Sequence, residues 1–342
     1  MTAGAPEMRK GFTFASPIGF GASGIGTLYK DVPDTVAHET LAAAYDGGMR
    51  YFDTAPLYGH GLSELRLGRF LRTVPRESVT VSTKVGRCLV PPRGQPVDYG
   101  LWAAPLRLKL VFDYSYDGTM RALEQSASRL GFPDFDVVYI HDVDRYSHGA
   151  DGYKRRFDQA MAGSYRALDE LRRSGEVKAI GVGVNESDIA TRFVEAGRFD
   201  VVMIAGRYSL LDRSATLDLF PAAEKAGTGI VSAAVFNSGL LAKGPKFNEA
   251  TYDYGAPPTE VIQRAEAISR ICEAHDVPLQ AAAIQFPLRS PIVCAIVLGM
   301  SQPDRVPQNI EWSRYPIPEV FWQEIETAFT ENWASRPKKQ SD

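Results

Sequence analysis

The stretch Tyr51-Phe52-Asp53-Thr54-Ala55-Pro56-Leu57-Tyr58-Gly59 ends a short apolar run on a carboxylate and sets a phenol five residues later. Two later runs, Val79-Thr80-Val81-Ser82-Thr83-Lys84 and Val137-Val138-Tyr139-Ile140-His141, also finish on an ionisable residue. Short β-branched runs of this kind read as strands. Three strand ends therefore deliver Asp53, Lys84 and His141, with Tyr58 just beyond the first.

Working outward, strand-like runs alternate with longer amphipathic ones along the chain. Eight strand candidates stand near 18–21, 50–53, 79–84, 137–141, 179–184, 201–204, 229–233 and 295–298. Helical stretches lie between them at about 35–46, 63–71, 117–130, 159–173, 187–195, 215–226, 259–274 and 303–312. Gly47-Gly48, Gly131, Gly175, Gly197 and Gly227 sit where a helix turns back toward a strand, as C-capping glycines do. Strand-helix alternation implies a parallel sheet with crossover helices, and eight such units are the count of an α/β fold closed as a (β/α)8 TIM barrel.

At 342 residues the chain has room for two domains of about 150 residues each, but a barrel with insertions fills this length alone. We expect one domain over 1–342, with the barrel at about 17–312 and a C-terminal helix and unstructured tail within 313–342. Three long connections leave strands, at 85–116, 142–158 and 234–258, while those leaving helices are short. In a barrel such loops share the C-terminal rim, where sites are built. The first, carrying Pro91, Pro92, Pro96, Trp102 and Tyr116, reads either as a pocket wall or as a covering flap.

The composition is 44% hydrophobic and 23% charged, with a net charge of -3 and no basic block, so neither nucleic acid nor an anionic membrane surface is an expected partner. The first ten residues lack an apolar signal core, and no run approaches the ~20 apolar residues of a membrane span; the chain reads as cytoplasmic. Cys88, Cys272 and Cys294 are odd in number and far apart, and no HExxH occurs, so no disulfide framework and no metal site is expected.

Each polar strand end has a structural reading of its own. Asp53 suits a turn cap, Lys84 a solvated loop, Tyr58 an amphipathic core position and His141 a satisfied buried imidazole. Together they mean more, because a barrel brings the ends of its second, third and fourth strands to adjacent points on one rim. An ammonium beside a phenol favours phenolate, so the Tyr58 pKa is expected to fall from about 10 toward neutrality. His141 then hydrogen-bonds the same substrate oxygen. A proton shuttle with neither metal nor nucleophile motif suggests hydride transfer with a borrowed cofactor.

Gly19-Phe20-Gly21-Ala22-Ser23-Gly24 formally matches GxGxxG, but helical periodicity starts only after Pro33, so it lacks the helix that fingerprint must open. The expected phosphate site follows the seventh and eighth strands, at Phe236-Asn237-Ser238-Gly239 and at Gly299-Met300-Ser301-Gln302-Pro303 with Arg305 on the next helix. An ordinary β-α turn is the alternative.

Asp53-Thr54-Ala55 with Tyr58-Gly59 and Glu64, then Ser82-Thr83-Lys84, then Tyr139-Ile140-His141, resemble in order and spacing the motifs of the aldo-keto reductase family, over about 17–309. The resemblance implies that Tyr58 is the general acid/base, that Lys84 and Asp53 tune it and that His141 orients substrate. It identifies Asn185 with the asparagine that holds the nicotinamide carboxamide. Gly183 stands in place of a usual serine, and Ala205 in place of a usual glutamine. Ala233 or Ala234 stands where a stacking tyrosine is common, with Phe236 as another apolar face. Asn237, Ser238, Gly239, Leu240, Gly299, Ser301, Arg305 and Asn309 complete the implied cofactor contacts. Gly299 replaces a lysine that, with the arginine, clasps the 2′-phosphate of NADP, so NAD is the expected cofactor; Arg305 keeps NADP open.

These departures resemble the branch of L-fucose (D-threo-aldose), L-galactose and pyridoxal 4-dehydrogenases. The implied reaction is oxidation of an aldose of the L-fucose, L-galactose or D-arabinose type at C1 to its lactone. Rival readings are pyridoxal oxidation, NADPH-dependent reduction of aldehydes or ketones, and a nucleotide-sensing subunit of the kind found on potassium channels. Oligomeric state is not legible.

Overall fold

Eight strands close into a parallel barrel in a computed structural model that describes residues 12–244 and 246–332. In chain order they are β1 (Ile18–Gly21), β2 (Tyr51–Asp53), β3 (Thr80–Val85), β6 (Val137–His141), β7 (Ala179–Val184), β8 (Val201–Ala205), β9 (Gly229–Ala233) and β10 (Val293–Gly299), while β4 (Arg87–Val90) and β5 (Lys109–Phe112) pair outside the barrel. All eight strand candidates lie in the barrel, which runs β1-β10-β9-β8-β7-β6-β3-β2. The helices are α1 (Asp34–Asp46), α2 (Leu62–Leu71), α3 (Tyr116–Leu130), α4 (Arg145–Ala160), α5 (Arg166–Ser174), α6 (Ser187–Ala196), α7 (Leu219–Ala226), α8 (Leu240–Lys243), α9 (Thr259–Ala274), α10 (Leu279–Gln285), α11 (Arg305–Arg314) and α12 (Glu319–Asn332). The tail beyond α12, expected to be unstructured, lies outside the described residues.

Two of the long loops are more ordered than their sequence suggests. Residues 85–116 hold the antiparallel β4–β5 hairpin, with Arg87 opposite Phe112; the wide connection between its strands hides the pairing. Residues 142–158 are mostly α4, whose first turn is capped by Asp144 accepting from the Ser147 amide at 2.9 Å. That helix breaks the usual pattern at Gly149 (φ 70, ψ 168) and passes through a π turn at Met161–Tyr165 into α5, so its apolar period is interrupted where it begins.

Strand residues two apart share a face. Tyr51, Val137, Tyr139, Val201, Val231 and Ala295 thus form an interior cluster, closed by Phe14, whose ring lies 4.5 Å from that of Tyr51. The outward faces pack on the surrounding helices in a second, larger core.

One close approach places the chain after β2. Gly59 has φ 62, and a Cβ on it would sit 2.3 Å from the Gly26 carbonyl oxygen, while a Cβ on Gly26 would sit 2.8 Å from the Tyr58 carbonyl carbon. The two backbones touch because neither residue has a side chain, and this contact holds Tyr58 on the rim. Gly59→Ala combines a left-handed φ with that clash and is expected to lower the unfolding free energy by about 2–4 kcal/mol in urea titration followed by circular dichroism. An unchanged midpoint would refute the contact's importance.

Candidate active site

β2, β3 and β6 are neighbours, with Asp53 in register with Ser82 and Lys84 with Tyr139. Their ends converge as the sequence led us to expect. Lys84 Nζ donates to Asp53 Oδ2 at 2.6 Å and to the Thr54 carbonyl at 2.9 Å, and Ser82 Oγ donates to Asp53 Oδ1 at 2.7 Å. The Lys84 and Asp53 side chains are only 1% and 2% exposed, so neither charge is answered by water. The ammonium lies 4.8 Å from the centroid of the Tyr58 ring. On its other sides that ring meets His141, edge-on at 6.1 Å, and Trp102 at 5.8 Å. Trp102 thus joins the wall of the site, as one reading of the first long loop had it.

The electrostatics correct one expectation. Tyr58 is pushed well above the usual phenol value, first by burial and then by the Asp53 and Asp142 carboxylates, with the Arg87 cation opposing. Lys84 does not bring it down because that charge is matched by Asp53 at contact distance. Tyr58 is therefore a protonated phenol at neutral pH. Burial, with Arg87 and Lys84 nearby, holds His141 well below the ordinary imidazole value, so it is neutral and presents one donor and one acceptor. Burial likewise pushes Asp142 up to about 6 against the pull of Arg87.

Support beneath these groups escaped the sequence reading. Tyr51 Oη lies 3.1 Å from Ser82 Oγ and 3.3 Å from Tyr139 Oη, so a hydrogen-bonded column rises through the barrel to Asp53. The signal was present, since Tyr51 and Asp53, Ser82 and Lys84, and Tyr139 and His141 are each two apart. Thr83 Oγ1 and Arg129 Nε donate to the buried Glu64 at 2.8 and 2.6 Å, fastening α2 behind the site. Among the described residues no cluster of three or more His, Cys, Asp or Glu is placed to hold a metal ion. The three cysteines are buried free thiols.

The residues expected to hold the cofactor lie in or shortly after the loops that follow β7, β9 and β10. Asn185 Nδ2 donates to Asp144 Oδ2 at 3.3 Å, and its carbonyl accepts from Arg207 Nε at 2.9 Å. In the loop after β9, the Asn237 amide donates to the Gly206 carbonyl and accepts from Ser209 Oγ; its side chain is committed inside the fold. Leu240 is fully buried and Phe236 packs partly on the core, while the Ser238 carbonyl accepts from Thr251 Oγ1. Gly299 is exposed, and a Cβ there would meet nothing nearer than Ser23 Oγ at 3.9 Å. Ser301 is partly exposed and Asn309 buried. Arg305 opens α11 in solvent, bonded to Gln308 at 3.2 Å and with no carboxylate partner among the described residues. A cation without a carboxylate partner among the described residues, at a helix start a few residues after an unfilled glycine, fits an anionic dinucleotide.

The profile of the Aldo/keto reductase family matches residues 17–329. Pyridoxal 4-dehydrogenase of Microbacterium luteolum is 42% identical over 326 residues, covering 92% of this chain and 94% of that protein. D-threo-aldose 1-dehydrogenase of a Pseudomonas species is 42% identical over 316 residues, covering 91% and 93%. L-galactose dehydrogenase of Arabidopsis thaliana is 28% identical over 302 residues, covering 86% and 83%. The solved glycerol dehydrogenase of Gluconobacter oxydans superposes over 100% of both chains with a TM-score of 0.73 at 20% identity, a likeness of fold.

The buried pair makes a stability prediction. Lys84→Met leaves a buried carboxylate without its cation and is expected to cost about 3–5 kcal/mol. Adding Asp53→Asn removes the stranded charge and should recover more than half of that loss. Urea unfolding of the two variants decides it; equal stability of single and double variants would contradict the pairing.

Proposed function

The chain belongs to the Aldo/keto reductase family, and from that membership we propose that it oxidises an aldose at C1 to the lactone with NAD as hydride acceptor. The convergence of Tyr58, His141 and the Asp53–Lys84 pair on one rim carries this reading. Asn185, Gly299, Ser301 and Arg305 would hold a nicotinamide dinucleotide, which would supply the hydride acceptor and, when oxidised, a positive charge that favours the phenolate. Tyr58 takes the proton of the C1 hydroxyl as the C1 hydrogen leaves with its electron pair, and the C1–O bond becomes a carbonyl. Neutral His141 holds the same oxygen by one hydrogen bond. Lys84 and Asp53 keep the ring face of Tyr58 against a matched charge pair, so no net charge there resists the passage of the proton.

The aldose reading is supported by the D-threo-aldose and L-galactose dehydrogenase relatives. The pyridoxal 4-dehydrogenase relative at 42% identity favours a second reading, because pyridoxal also closes to a cyclic hemiacetal. A panel of L-fucose, L-galactose, D-arabinose and pyridoxal with NAD and with NADP separates them. We expect aldose turnover with NAD preferred, still rising at the alkaline end of the accessible range, because the Tyr58 phenol is held well above its usual value and keeps its proton through neutral pH. Tyr58→Phe should lose about 10²–10⁴-fold in kcat while still quenching its fluorescence on NADH binding. Aldehyde reduction with NADPH and no sugar oxidation would sink the proposal.

The preference for NAD is supported by the missing cation at Gly299. Gly299→Lys, placed in open space, should tighten NADP by about tenfold or more and leave NAD nearly unchanged. No change in the NADP dissociation constant would show that Gly299 does not face the 2′-position.

A further inference from the structure

Asp142 follows His141 at the end of β6 and takes a left-handed backbone, φ 50, a conformation that turns its side chain out of the strand's alternation. Its amide still donates to the Gly183 carbonyl at 2.9 Å, so the strand is anchored up to this residue. Asp142 Oδ2 accepts from Arg87 Nη2 at 2.9 Å and lies 3.4 Å from His141 Nε2. Asp142 Oδ1 has no hydrogen-bond partner among the described residues, and the side chain is 13% exposed. The carboxylate thus stands on the rim beside His141, whose ring meets the Tyr58 ring edge-on at 6.1 Å.

Arg87 is a poor choice if the pair serves only stability. It comes from β4, lies 4.7 Å over the Phe112 ring of β5, is 6% exposed, and leaves Nη1 buried without a partner. A buried guanidinium with an unmatched nitrogen is costly. What it achieves is to fix the Asp142 carboxylate beside His141 with one oxygen open.

We propose that Asp142, clamped by Arg87, accepts a hydrogen bond from the substrate hydroxyl on the carbon next to the reacting carbon. With O1 held by Tyr58 and His141, the group that reaches Oδ1 is the neighbouring oxygen. A ring oxygen has no proton to give and would meet the carboxylate lone pairs; a hydroxyl donates to them. The site therefore selects α-hydroxy carbonyl compounds and 2-hydroxy aldoses over their deoxy counterparts. This rests on the proposed function for its direction of reaction, though not for its test.

Two substrate pairs differ only by that hydroxyl: lactaldehyde against propanal, reduced with NADH, and D-arabinose against 2-deoxy-D-ribose, oxidised with NAD. Wild type should favour the hydroxylated member of each. Asp142→Asn should lower the kcat/KM ratio of lactaldehyde to propanal, and of D-arabinose to 2-deoxy-D-ribose, by about 10- to 100-fold, the range for a hydrogen bond to a charged acceptor; the effect of the lost charge on Tyr58 and His141 is common to both members of a pair and cancels in the ratio. Equal losses on both members of a pair, or a preference that survives the substitution, would overturn the proposal. So would a wild type that shows no preference, an outcome readable even if the variant does not fold. A wild type that prefers lactaldehyde to propanal yet oxidises no aldose would refute aldose oxidation and leave Asp142 in its role.

Discussion

A lysine ammonium and an aspartate carboxylate in contact at 2.6 Å, both nearly sealed from solvent, are the interaction on which the rest of this structure depends. Neither charge is tolerable alone in that place, so β2 and β3 must lie side by side with their ends in register, and the barrel supplies that register. Ser82 and the tyrosine column below it satisfy the remaining carboxylate oxygen. The pair is electrically matched, which explains why the phenol resting on it is not acidified. Tyr58 sits against a neutral dipole.

Other parts of the rim are held by similarly buried polar contacts. Arg207, 3% exposed, donates to the Asn185 carbonyl, to Asp212 and to Asp253. One guanidinium thereby ties together the loops after β7, β8 and β9, and with them the positions of Asn185 and Tyr254. Asn237 performs the same task with its amide between the loops after β8 and β9. On the opposite side, the β4–β5 hairpin carries Arg87 and the connection between its strands carries Trp102. These rim loops are thus fixed to the barrel by charge and hydrogen bonds, while the barrel itself is fixed by packing.

Much of this was legible in the chain because strand period and strand ends are local properties. The eight barrel strands and the meeting of Asp53, Lys84 and His141 follow from runs of three to seven residues and from the closure of the barrel. What was not legible depends on partners distant in sequence. The β4–β5 pairing joins strands separated by a long irregular connection, and α4 starts on polar residues with a glycine break, so neither has a clean period. The acidity of Tyr58 was misread because Lys84 was counted as a free charge, whereas its full pairing with Asp53 is a matter of three dimensions. The internal bonds of the Asn237 side chain to Gly206 and Ser209 likewise depend on a loop some thirty residues away.

The most direct test of the account is the fate of the C1 hydrogen. D-arabinose or L-fucose deuterated at C1 is incubated with NAD and the products are examined by NMR. The account predicts that the deuterium appears at nicotinamide C4 of the reduced cofactor, in one deuteron per lactone formed, and that Tyr58→Phe suppresses the transfer. Deuterium retained on the sugar while cofactor is reduced, or lactone formed without labelled cofactor, would contradict it.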